Sequence, residues 1–103
     1  MGFVTVFFAG VFLCNSIPHV SSGLRGVPFP TPFAKPRGVG DSPALVNFLW
    51  GALNVFVGAI LYSLHSFVIG LNAEFLVFFA GALAIGVFLA THFGQVHKQK
   101  HGG

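Results

Sequence analysis

Imidazole is the side-chain group in this sequence best suited to chemistry. Five of the 103 residues are histidine: His19, His65, His92, His97 and His101. His19 follows the first apolar run and His92 ends the third. Alternate spans return a chain to the same side of a membrane, so these rings are expected near one surface, with Asn15 and Asn47 at similar depth. Imidazoles grouped there are ligands for haem, a quinone or a metal, which makes His19 and His92 the candidate cofactor-binding residues. The plainer reading is that a wet interface is the easy place for a histidine, and that His92 complements the negative end of a helix. No carboxylate or thiolate motif lies near them, so no metal site is assigned, and haem is the alternative to no cofactor. His97 and His101 are expected in solvent, and His65 on the opposite side.

Other chemistry is sparse. The only acids, Asp41 and Glu74, fall on opposite sides of the membrane by this reading, so they form no general acid/base pair within one chain. Each has a structural role at a helix start. Ser16 or Ser21 near His19 lacks a third group to orient a nucleophile. There is no glycine-rich phosphate loop and no CxxC. The single cysteine, Cys14, sits in an apolar run as a small packing residue. No catalytic residue is assigned.

The elements that must position these groups follow from composition. Hydrophobic residues make up 54% of the chain and charged ones 7%, where a soluble domain carries about a quarter charged. A water-soluble 10.9 kDa monomer cannot hide so many apolar side chains, and disorder needs the opposite composition. An all-α membrane protein remains. Three apolar runs predict spanning helices over about 2–17, 44–64 and 74–93, joined by a loop over 18–43 and followed by a tail over 94–103. Crossing takes about 20 residues, so the first run is short: it stands upright, thins the bilayer, or continues past Pro18. It has no Lys or Arg ahead of it and no small-x-small cleavage site behind it, and is read as a permanent span rather than a signal peptide. Ser42 or Asp41 before Pro43, and Asn72 before Glu74, read as helix starts. Gly94 reads as the stop of the third helix. The short 65–73 connection predicts that helices two and three pack as an antiparallel hairpin.

All six prolines lie between Pro18 and Pro43. Proline at this density excludes helix and favours a stiff, extended loop. Arg25, Lys35 and Arg37 fall in the loop and Lys98 and Lys100 in the tail, while the opposite side has no Lys or Arg. By the positive-inside rule the N-terminus is outside and the loop and tail are cytoplasmic. The scattered basic residues do not make a nucleic-acid stripe. Arg25, Lys35 and Arg37, with Phe29 and Phe33, form the candidate loop surface for a partner or the membrane interface. Trp50 and Tyr62 read as interfacial anchors.

Asn47, Gly51, Asn54 and Gly58 fall on one face of the second helix. Ala82, Gly86 and Ala90 make a small-residue stripe on the third, and Gly10 with Cys14 a shorter one on the first. Such stripes let helices approach closely, and asparagine hydrogen-bonds across the interface. The competing reading is a substrate or ion path lined by the asparagines.

The segments Asn15-Ser16-Ile17-Pro18-His19, Gly23-Leu24-Arg25-Gly26, Pro28-Phe29-Pro30-Thr31-Pro32-Phe33-Ala34 and Asn47-Phe48-Leu49-Trp50-Gly51 resemble a pattern in small bacterial inner-membrane proteins of no assigned activity. The resemblance implies a bacterial cytoplasmic membrane and carries over no activity, cofactor or partner. The function expected from the residues is association, as an accessory subunit, assembly factor or homo-oligomer, with the bilayer and other membrane subunits or further copies as partners and no nucleic acid. The alternatives are a haem or redox subunit using His19 and His92, or a small oligomeric transporter.

Overall fold

The computed structural model describes residues 2–101. Its long helices are α1 (Gly2–Leu24), α2 (Ala44–Leu64) and α3 (Ala73–Lys100), each long and apolar enough to cross a membrane. The chain is an all-α membrane protein with three such helices among the described residues.

Helix α1 continues seven residues beyond the expected 17, with Pro18 inside it. Proline forfeits one backbone hydrogen bond there, and tertiary contacts carry the helix on: Ser16, His19 and Ser22 are all buried. At 23 residues it reaches about 35 Å and no longer falls short of the hydrocarbon core. Helix α2 occupies the expected 44–64. Helix α3 runs through Gly94 to Lys100, so the expected tail is helical as far as that residue. A glycine ends a helix by turning to positive φ, which Gly94 does not do. Beyond it Val96 is buried, and His97, Lys98 and Lys100 meet the negative end of the helix.

The expected hairpin of helices two and three is not formed. Helix α1 lies between α2 and α3 and packs on both, and α2 makes no substantial contact with α3. The short connection permits this because it passes over the start of α1, where a Cβ on Gly2 would meet the His65 ring. Asn72 caps α3 as expected, accepting from the Phe75 amide at 2.8 Å. The start of α2 differs. Pro43 holds the N-cap position without a side-chain cap, because Ser42 bonds Thr31 and Asp41 pairs with Lys100.

Asn47, Gly51, Asn54 and Gly58 are the buried residues of α2, as the spacing predicts. On α3 the expected stripe holds only in part. Ala82 and Gly86 are half-buried, but Ala90 is exposed and Gly81 is the buried glycine. Two steps of four turn a helix by about 80° from its starting face, which carries Ala90 off the contact. Gly10 and Gly81 bring the α1 and α3 backbones together: a Cβ on Gly10 would collide with the Phe78 carbonyl, and one on Gly81 with that of Phe7.

The loop between α1 and α2 folds back on the bundle instead of extending. Short strands β1 (Phe29–Pro30) and β2 (Asp41–Ser42) pair antiparallel, Phe29 opposite Ser42. Between them the Thr31 carbonyl accepts from the amides of Ala34 and Gly38. Gly38 has φ +66°, the left-handed region where a side chain is strained.

Candidate functional site

The loop end of the bundle holds a polar network built on α1 and α2. Asn47, wholly buried, is its hub. Its Nδ2 donates to the carbonyls of Phe29 at 2.9 Å and Ser42 at 3.1 Å, with Pro43 at 3.3 Å. That orientation leaves Oδ1 toward His19 Nδ1, 2.9 Å away, so His19 donates through Nδ1 and its Nε2 carries the lone pair. One turn deeper, Asn15 Nδ2 donates to Asn54 Oδ1 at 2.9 Å, and Asn54 Nδ2 donates to the Trp50 carbonyl at 2.8 Å. Asn15 thus pairs below Asn47 rather than beside it. Both α2 asparagines are occupied by bonds within the chain.

Beside this network, in the space that α1 holds open between α2 and α3, lies a cavity of about 280 Å³. Helix α1 contributes Asn15 and His19, α2 contributes Trp50, and the loop contributes Thr31, Arg37 and Gly38. Its α3 wall includes Ile85, Leu89 and His92. The expected pair His19 and His92 therefore does line one space, and they reach it differently. His92 sits well inside α3 rather than at its end, and its Nε2 donates to the Gly38 carbonyl at 2.7 Å. His19 is 2% exposed and has Nε2 uncommitted to any bond among the described residues.

The loop residues divide. Phe29 is half-buried, its ring 4.6 Å from Phe93 and 5.7 Å from His19. Phe33 is exposed and stands edge-on to Trp50 at 5.1 Å. Arg37 reaches the cavity, whereas Arg25 and Lys35 are exposed away from it. At the opposite end His65 pairs with Glu74, away from Asp41, so the two acids do stand apart. Among the described residues no group of three or more His, Cys, Asp or Glu is arranged to hold a metal ion.

No known family, curated protein or solved structure matches this chain. The site has to be read from its own atoms.

Trp50 is the residue whose role the sequence reading missed. Its Nε1 is buried and has no hydrogen-bond partner among the described residues, although a buried indole N–H usually finds one. The available signal was position: Trp50 lies one turn from Asn47 and from Asn54, and so beside the polar face rather than on the lipid side.

Proposed function

We propose that this chain is a membrane-embedded binding protein that takes a small amphipathic molecule into the cavity at its loop end. The observation that supports this best is the cavity itself, whose largely apolar wall carries Asn15, His19 and His92. Pockets for small molecules combine such walls with a few convergent polar groups. The two imidazoles support a haem less well, because engaging His92 through Nε2 gives up its bond to Gly38. The transporter reading loses its support, since Asn47 and Asn54 are occupied in packing. Native mass spectrometry of the protein released from membranes is expected to show a small bound mass, lost in Leu89→Trp, which fills the cavity. A bare chain in both overturns the reading.

Association with other subunits or further copies is the second reading, and α3 favours it. Of the other two helices only α1 packs substantially on it, and Ala80 and Ala84, four residues apart, are both exposed. A cross-linked oligomer that Ala84→Leu abolishes is the expected result.

Orientation belongs to the same proposal. The Lys100–Asp41 and His92–Gly38 contacts gather loop and C-terminal helix at one end, and every Lys and Arg of the chain falls in these segments. That charge bias supports a multi-pass protein of a bacterial inner membrane with the loop end cytoplasmic. Reporter fusions after residue 101 are expected to signal from the cytoplasm and insertions at 68–70 from outside. The reverse pattern overturns it.

A further inference from the structure

We propose that His97 and His101, four residues apart at the end of α3, chelate a divalent transition-metal ion of the zinc, nickel and copper class. The site is separate from the cavity of the binding reading and does not depend on it.

Three observations carry it. First, the two rings are placed as a pair. Residues four apart stand on one face of a helix, and two histidines at that spacing supply the paired imidazoles of helical zinc sites. The ring centroids of His97 and His101 are 4.2 Å apart, with the planes at 33°. Two imidazoles that share a tetrahedral zinc at about 2.0–2.1 Å have centroids about 5 Å apart, so the pair has only to splay by about 1 Å. Second, their nitrogens are unclaimed. The rings of His19, His65 and His92 are bonded to Asn47, Glu74 and Gly38. Neither the His97 nor the His101 ring has a hydrogen bond among the described residues. Third, the surroundings suit a cation that arrives from water. At 28 residues, α3 is about 42 Å long and outruns a hydrocarbon core of about 30 Å. Its last turn can therefore stand clear of lipid, and both histidines are exposed. They line a cavity of about 250 Å³ together with Asp41, whose second carboxylate oxygen is left over from the bond to Lys100.

No third His, Cys, Asp or Glu among the described residues is arranged to join them. Water therefore completes the coordination, and the ion exchanges instead of being enclosed as a structural one.

An anion such as phosphate is the rival occupant, because Lys98 and Lys100 lie in the same last turn. Lys100 is already paired with Asp41 at 2.8 Å, however, and Lys98 does not line the cavity. A neutral imidazole also presents a bare nitrogen, which a metal ion takes and an anion does not.

The test is calorimetric titration of zinc chloride into the whole untagged chain in lipid nanodiscs, with empty discs as the blank. Saturation at one ion per chain is expected. His97→Gln and His101→Gln are each expected to weaken binding at least about tenfold, since even the outer partners of metal ligands are worth about 10–100-fold in affinity. His65→Gln, at the other end of the bundle, is expected to bind as the unaltered chain does. The imidazole nitrogen resonances of the unaltered chain give a reading that needs no variant: those of His97 and His101 are expected to shift together and to level off together. Two ions per chain, each lost with one histidine, would mean two separate solvated rings and overturns the proposal. One ion per two chains would mean a bridge between copies and overturns it equally. So does saturation that survives both substitutions, saturation by sodium phosphate in place of zinc, or no saturable change in either measurement. None of these outcomes bears on the cavity between α2 and α3.

Discussion

Gly81→Leu is expected to separate α3 from α1 and to be among the most damaging single substitutions in the chain. The reason is what a side chain there would meet. A Cβ on Gly81 would collide with the Phe7 carbonyl, and one on Gly10 with that of Phe78. These obstacles are helix backbone, which cannot rotate aside, so the helices themselves must part. Overpacking costs about 1–3 kcal/mol, and this site belongs at the upper end, a large share of a stability of about 5–15 kcal/mol. Gly10→Leu is expected to match it. Gly58→Leu is expected to cost less, because the atoms nearest a Cβ there belong to the Leu13 side chain, the first at 2.6 Å, and can move. Gly86→Ala sets the baseline: its Cβ would lie 3.7 Å from Cys14 Sγ, an ordinary contact, and stability is expected to change by less than about 1 kcal/mol. Reversible unfolding in mixed micelles, followed by loss of helix signal, measures all four. If Gly81→Leu unfolds with Gly86→Ala, the α1–α3 contact has been placed on the wrong residues.

The same glycines show what a sequence discloses about helix packing. The α2 face was legible because Asn47, Gly51, Asn54 and Gly58 advance by four, three and four, an alternation that stays on one side of a helix. Ala82, Gly86 and Ala90 advance by four and four, and the drift left Ala90 on the lipid side. A half-buried row on α3 is instead Phe78, Ala82, Ile85 and Leu89, again four, three and four, with the buried Gly81 beside it. Large apolar residues in that row look the same whether they face a helix or lipid, so periodicity could not select it. The order of packing was hidden for a related reason. A short connection implies neighbouring helices only when nothing else competes for their faces. Here α1 carries small residues toward both partners, Gly23 against Phe48 of α2 and Gly10 against Phe78 of α3, and so takes the middle place. In water the burial of one apolar stripe would have marked the core. In this chain apolar surface faces lipid and protein alike, and the polar residues were the better guide.

Those polar residues also locate the contact on which the loop depends. Asn47→Leu is expected to release the loop from the bundle while leaving the helices in place. Leucine has the same branched shape and number of heavy atoms as asparagine, so the change chiefly removes bonds. It strips the acceptor from His19 Nδ1 and the donor from the Phe29 carbonyl, each now 2.9 Å from the Asn47 amide. A buried polar group left unpaired costs about 1–3 kcal/mol, and polar contacts between membrane helices average below 1 kcal/mol. With one of these bonds between helices and the other from helix to loop, about 2 kcal/mol is expected in total. Asn54→Leu separates this effect from loss of polarity in general. Asn54 is as deeply buried, but its hydrogen bonds among the described residues go to Asn15 and the Trp50 carbonyl, both on the helices, and not to the loop. Limited trypsin digestion after Arg37 therefore distinguishes the two. Cleavage is expected to quicken about tenfold or more in Asn47→Leu, the factor that 1.4 kcal/mol of lost docking would produce, and to stay near the unaltered rate in Asn54→Leu, with helix content equal in all three. Faster cleavage in both variants would mean that the bundle has loosened as a whole. Faster cleavage in neither would mean that the Thr31–Ser42 and His92–Gly38 bonds hold the loop without Asn47.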